Sequence, residues 1–187
     1  MSGLRTVLWA DRETGGLDRC VLTDEGERGA RLSGTALVTY EAVPYEVRYT
    51  VMVDATWQTR SLGVHVQGGP GDDARLALMA DEEGRWTVGR EPYEELAGCI
   101  DADLGVTPAT NTIPIRRLGL AVGESADISV VSIRFPDLAI AVEEQRYERK
   151  APDLYRYSSG PFDAELVVDS NGLVLDYEDL WHAVASA

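Results

Sequence analysis

The sequence predicts a mainly β protein built from a sheet that curls into a barrel or folds into a sandwich. Three observations carry that expectation: apolar residues recur at every second position, turn-forming residues interrupt them at short intervals, and helix signals are confined to two short pieces. The clearest alternation runs over residues 45–54, where Tyr45, Val47, Tyr49, Val51 and Val53 share one face and Glu46, Arg48 and Thr50 share the other.

Taken in chain order, shorter candidates at 5–10, 17–22 and 32–40 precede that strand, and alternation resumes in Leu62, Val64 and Val66 and in Leu76 and Leu78. Gly68 to Asp73 breaks the first of these pairs and Asp81-Glu82-Glu83-Gly84 breaks the next. Further strands are expected at 128–135, 138–147 and 162–168. Asp169-Ser170-Asn171-Gly172 then joins the last of them to the run Leu173 to Tyr177, and Asn-Gly is the strongest short hairpin signal. Helix is expected at Glu91 to Ala97, with Pro92 in its first turn, and at Glu178 to Ala185. Ten or more strands with so little helix must cover their apolar face by curling or by pairing sheets.

The chain has 187 residues, without internal repeats or linker-like composition, so one domain spanning 1–187 is expected. At this length about 70% of the unfolded surface becomes buried, and the core needs no staples. Acidic residues number 32 against 17 basic, a formal charge of -15, which repels nucleic acid and anionic membrane surfaces. Cys20 and Cys99 have neither metal-site nor disulfide-framework spacing. No apolar run at the N-terminus reaches signal-peptide length, and Leu17-Asp18-Arg19 before Cys20 is no lipobox; a cytoplasmic protein without membrane insertion is expected.

Residues 98–120 concentrate the polar groups. Asp101 and Asp103 are two apart on an expected strand, about 6.6 Å along it, and so project from one face. A Thr- and Asn-containing loop, Thr107 to Thr112, is stiffened by Pro108 and Pro114, and Arg116-Arg117 follows. Carboxylates accept hydrogen bonds from sugar hydroxyls, and a guanidinium suits carboxylate or phosphate. If Arg116 and Arg117 are strand neighbours, only one of them faces a ligand. The same residues also suit an internal Asp–Arg network with side chains bonded to turn backbone, and that reading stays open.

The run Cys99 to Leu104 followed by Thr107 to Leu118 resembles the signature of a bacterial glycolipid-binding family. Trp9 with Gly16-Leu17-Asp18, the Tyr49 to Arg60 region, Gly84-Arg85-Trp86, Phe135-Pro136, Gln145-Arg146-Tyr147 and Val168 to Tyr177 agree with the family pattern in order. The resemblance covers essentially the whole chain. It departs at Ala109, where the family has a bulky aromatic, at Ile113 for Leu, and at Asp18 for Glu. The resemblance implies an incomplete antiparallel β-barrel, like that of the periplasmic lipoprotein carriers, with an apolar cavity.

By this resemblance the protein binds an amphiphilic small molecule, a glycolipid, without catalysis, cofactor or metal. Its acyl part would occupy the barrel and its head group a polar rim. The expected ligand-binding residues are Asp101, Asp103, Asn111, Arg116, Arg117, Asp54, Arg60, Trp57, Trp86, Gln145 and Tyr147. Each aromatic among them also suits plain core packing, and Asp54 with Arg60 suits an ion pair at a strand end. One alternative is an enzyme acting on a glycoconjugate through Asp101 and Asp103, whose spacing fits paired carboxylates. Neither His65 nor His182 has a nucleophile elbow to serve. A structural or protein-interaction module without a cavity is the third reading.

Overall fold

Alternating inward and outward residues build one continuous sheet in the computed structural model, which describes residues 3–68 and 73–187. Its strands are β1 (Gly3–Asp11), β2 (Leu17–Asp24), β3 (Ala30–Tyr40), β4 (Val43–Val53), β5 (Thr59–Gln67), β6 (Asp73–Ala80), β7 (Trp86–Val88) and β8 (Glu91–Pro92). They continue with β9 (Asp101–Leu104), β10 (Ser125–Ile133), β11 (Ile140–Ala151), β12 (Leu154–Ser159), β13 (Phe162–Val168), β14 (Val174–Tyr177) and β15 (Trp181–Ser186). The one α-helix among the described residues, α1, spans Thr112–Leu118. The Gly-rich break over 69–72 lies outside the described residues.

Strand order is β8-β7-β6-β5-β4-β3-β2-β1-β15-β14-β13-β12-β11-β10-β9, so two antiparallel meanders meet where the last strand pairs with the first. Among the described residues only β9 runs parallel to its neighbour, β10. The sheet curls without closing. Its two ends approach through single bonds: Thr59 N–H donates to the Ile100 carbonyl (3.2 Å), Ala102 N–H to Thr59 Oγ1 (3.1 Å), and Trp86 Nε1 to the Cys99 carbonyl (2.9 Å).

The hairpin read at Asn171-Gly172 joins β13 to β14, and that at Asp81 to Gly84 joins β6 to β7. Both expected helices are corrected. Residues 91–97 form the two-residue β8 and a single 3-10 turn at Glu94–Leu96. The 178–185 segment contributes all but the last residue of β15, which pairs with β1 in the register Trp9 to Ala183; the ladder bonds to a neighbouring strand outweigh the local helical preference. Strand β12 has Tyr155 and Tyr157 on its buried face and was not expected.

The largest departure is inside the barrel. The segment after β9, expected as a turn-rich loop, forms a 3-10 turn over Pro108–Asn111 that runs directly into α1, and every residue from Pro108 to Ile115 is buried. Thr107 Oγ1 caps it by accepting from Ala109 N–H (3.0 Å), and Pro114 stands third in α1, where a helix has no use for an N–H donor. Seven residues with four β-branched or proline side chains make a poor isolated helix, by up to about 0.7 kcal/mol per ordinary residue. Fully burying Ile113 or Ile115 contributes about 1.5–3 kcal/mol each, which outweighs that deficit. The plug therefore forms because the barrel surrounds it.

Among the described residues no helix is long and apolar enough to cross a membrane.

Candidate functional site

The plug divides the barrel into two poles. At the mouth, around the β12–β13 and β14–β15 turns, lies a cavity of about 620 Å³. Its floor comes from the plug side, with Asp103, Thr107 and Asn111; its wall comes from Tyr157, Phe162, Tyr177 and Trp181. Strand alternation explains the wall: on β11 residues 143, 145 and 147 face inward, and across the ladder Tyr147 stands opposite Tyr157. The rings pack as a continuous patch, with centroids 5.2 Å apart for Tyr147–Tyr157, 6.1 Å for Tyr157–Tyr177 and 6.2 Å for Phe162–Tyr177.

Asp103 is fixed in this floor by neutral donors: Thr110 Oγ1 to Oδ1 at 2.8 Å and Gln145 Nε2 to Oδ2 at 2.7 Å. Beside it, Asn111 Nδ2 donates to Tyr147 Oη (2.9 Å), and Tyr147 Oη in turn donates to Gln145 Oε1 (3.4 Å). Burial pushes the Asp103 carboxyl up from its ordinary range, against the two hydrogen bonds that favour the carboxylate. Four of the sequence-predicted residues, Asp103, Asn111, Gln145 and Tyr147, are thus brought together in one hydrogen-bonded chain at the cavity. Glu143, Tyr157, Phe162, Tyr177 and Trp181 join them without having been singled out, although the inward alternation Tyr155, Tyr157 was readable.

A second polar group lies behind the floor. Asp18 is fully buried on the inward face of β2; its Oδ2 accepts from Tyr49 Oη (2.8 Å) and from Thr107 Oγ1 (2.5 Å), while Oδ1 has no partner among the described residues. Burial lifts the carboxyl to about 6. The neighbouring Cys20 thiol is pushed up to about 12 by burial and then by the Asp18 charge, which makes it unreactive. Sequence reading met Asp18 only as a departure from the family pattern. Its place in the inward series Asp18, Cys20, Leu22 was the available signal.

The remaining expected site residues gather away from the cavity, where they have partners within the fold. Arg117 Nε and Nη2 clasp Asp101 in a bidentate pair (2.8 and 2.6 Å), and Asp101 is 1% exposed. Burial raises the Asp101 carboxyl and Arg117 opposes the shift. Arg116 and Arg117 are consecutive residues of α1, not strand neighbours, so both find partners within the fold. Arg116 lies over the Trp57 ring at 4.2 Å, donates to the Asn171 carbonyl (3.1 Å) and sits 3.5 Å from Asp24.

Asp54 holds a turn in which Trp57 adopts φ 66°, accepts from Thr56 and Gln58 backbone N–H groups, and pairs with Arg60 at 2.6 Å. Trp86 is 2% exposed and anchored to Cys99. None of these seven, Asp101, Arg116, Arg117, Asp54, Arg60, Trp57 and Trp86, lines the mouth cavity.

Three comparisons bear on this architecture. A family model described as "Putative glycolipid-binding" matches residues 6–183. No curated protein matches the chain. Among solved structures, a DUF1089 family protein from Pseudomonas aeruginosa is 33% identical with a TM-score of 0.78, over 89% of this chain and 91% of that one. A β-barrel-like protein of the domain of unknown function DUF1849 from Brucella abortus aligns at 10% identity and a TM-score of 0.52, over 100% and 97% of the two chains. The second likeness is one of fold alone, and the fold it shares is this curled, unclosed barrel. With the family pattern matched from β1 to β15 and the signature segment forming the plug, the chain belongs to the glycolipid-binding family.

Proposed function

We propose that the protein binds an amphiphilic small molecule, with a sugar-like head group seated in the mouth cavity. The observation that carries this reading is the junction of an aromatic wall with a hydrogen-bonding floor in one cavity of about 620 Å³, within the roughly 300–1,000 Å³ of small-molecule sites. Sugar rings offer apolar C–H faces to stack on Tyr157 and Tyr177 and hydroxyls for Asp103 and Asn111 to bond. The family description supports the glycolipid class.

The acyl part is assigned differently from the expectation read in the sequence. The barrel core is filled by the plug, so the apolar tail leaves over the mouth, where Val142 and Phe162 are exposed beside the cavity. The two-carboxylate enzyme reading loses its pair, because Asp101 is enclosed by Arg117 and only Asp103 reaches the cavity.

Titration with hexyl β-glucoside, followed by tryptophan fluorescence from Trp181, tests the proposal. Tyr157→Ala is expected to weaken binding by about 2- to 10-fold, the value of one aromatic contact, while Arg60→Gln at the far pole leaves it unchanged. Absence of saturable binding, or equal affinity in wild type and Tyr157→Ala, overturns it.

A further inference from the structure

The mouth cavity also carries information about the charge of its ligand. Glu143 faces inward from β11 and lines the cavity, and its carboxylate has no hydrogen-bond or ion-pair partner among the described residues. Asp103, in the floor beside it, is held only by the neutral donors Thr110 and Gln145. The Glu143 charge is one of the influences that raise the Asp103 carboxyl, behind burial, so the two acids act on each other.

Among the described residues that line this cavity there is no Lys, Arg or His. The nearest arginine along β11, Arg146, points outward and is bound to Asp127 at 2.7 Å. Glu144 also lines the cavity, with Ser129 as its partner, and acidic groups gathered in a concave site without a counter-charge repel one another and lose solvation, costs that a cation relieves when it enters. The adjoining wall of Tyr157, Phe162, Tyr177 and Trp181 is the other half of a cation site, since aromatic faces attract an ammonium electrostatically.

We infer that the head group taken by this cavity carries a positively charged amine, as in an amino sugar, with Glu143 as its counter-ion and the aromatic wall against its ring or ammonium. The inference rests on the proposed binding function and narrows its ligand class. It excludes phosphate-, sulfate- and uronate-bearing head groups, which would place a third negative charge between Glu143 and Asp103.

Three probes that differ only in head-group charge test it: hexyl β-glucosaminide in its ammonium form, hexyl β-glucoside and hexyl β-glucuronide. The ammonium probe is expected to bind about tenfold more tightly than the glucoside, with the glucuronide weakest. Glu143→Gln should reduce the amine-to-glucoside ratio to within about twofold. Asp127→Asn removes an acid that does not line the cavity, where it pairs with the outward-pointing Arg146 at 2.7 Å, and should keep the wild-type ratio. A glucuronide affinity equal to that of the glucoside overturns the inference while leaving the binding function standing. So does an amine preference that survives Glu143→Gln or is lost equally in Asp127→Asn. If none of the three probes binds, the binding function and the inference fail together.

Discussion

The two poles of the barrel are served by the same plug and treat charge in opposite ways. At the sealed pole, opposite the mouth, three arginines have partners: Arg117 clasps Asp101, Arg116 covers Trp57 and bonds Asn171, and Arg149 donates to the Leu120 carbonyl at 2.8 Å and lies 5.5 Å from the Tyr155 ring centre. At the mouth, Glu143 is unpaired and Asp103 is met only by neutral groups. The difference separates architecture from recognition. Where cations are spent on acids within the fold, polar residues serve to close the barrel; where acids are left without cations beside a cavity, they are available to a ligand.

The largest expected effect tests the sealed pole. Arg117→Met leaves Asp101 buried without its counter-ion, and removing one partner of such a pair costs about 3–5 kcal/mol. Adding Asp101→Leu to Arg117→Met should restore most of that loss, because the uncompensated charge goes too. Urea unfolding of the wild type and the two variants measures both numbers. If the double variant is no more stable than Arg117→Met, the pair is not what closes this pole.

Asp18 stands between the poles, and its pH dependence is the next largest effect. Its carboxyl titrates near 6 when folded against an ordinary value of 3.8. The folded protein therefore holds the proton more tightly than the unfolded chain. This group's contribution to stability is full below about pH 4, declines as pH rises, and is lost above about pH 6, a total of about 3 kcal/mol. Asp18→Asn carries no such titration. Relative to wild type, the variant should gain stability as pH rises from about 4 to 6 and then level off. Asp101 and Asp103 are common to both chains and cancel in the difference. A stability difference constant from about pH 4 to 8 would show that the ionised Asp18 is fully compensated in the fold.

The sheet was legible in the sequence because strand periodicity is local: β1, β2, β4, β13 and the Asn171-Gly172 hairpin follow from alternation and turn chemistry alone. Residues 178–185 and 107–118 misled for the same physical reason in opposite directions. In the first, a strand depends on pairing with β1, more than 160 residues earlier in the chain (Val174 carbonyl to Trp9, for comparison, is separated by 165). In the second, a helix of weak propensity depends on the barrel around it. Charge pairing was legible only as residue types. Asp101 and Arg117 could be named as partners, but not distinguished from a ligand site, because that distinction lies in which pole each side chain reaches. The aromatic wall was missed since Tyr157, Phe162, Tyr177 and Trp181 come from four separate stretches and only the curl of the sheet joins them.

The smallest predicted effect concerns the tie that Tyr49 makes between the barrel wall and the mouth floor. Tyr49 reaches from β4 across Gly34 on β3 to bond both Asp18 and Thr107, the latter at 3.1 Å. A methyl group at Gly34 would meet Tyr49 Cζ and Oη at 2.2 Å, so the ring lies where any side chain would stand. Gly34→Ala must displace it. Overpacking of this kind costs about 1–3 kcal/mol, and a displaced Tyr49 no longer donates to Asp18. Losing a donor to the carboxylate disfavours the charged form, so the Asp18 midpoint should move above its value of about 6. Urea unfolding gives the first quantity, and the pH at which the stability difference from Asp18→Asn levels off gives the second. A destabilised Gly34→Ala with an unmoved midpoint would mean that Thr107 alone holds Asp18, and that the mouth floor is anchored from the plug rather than from the wall.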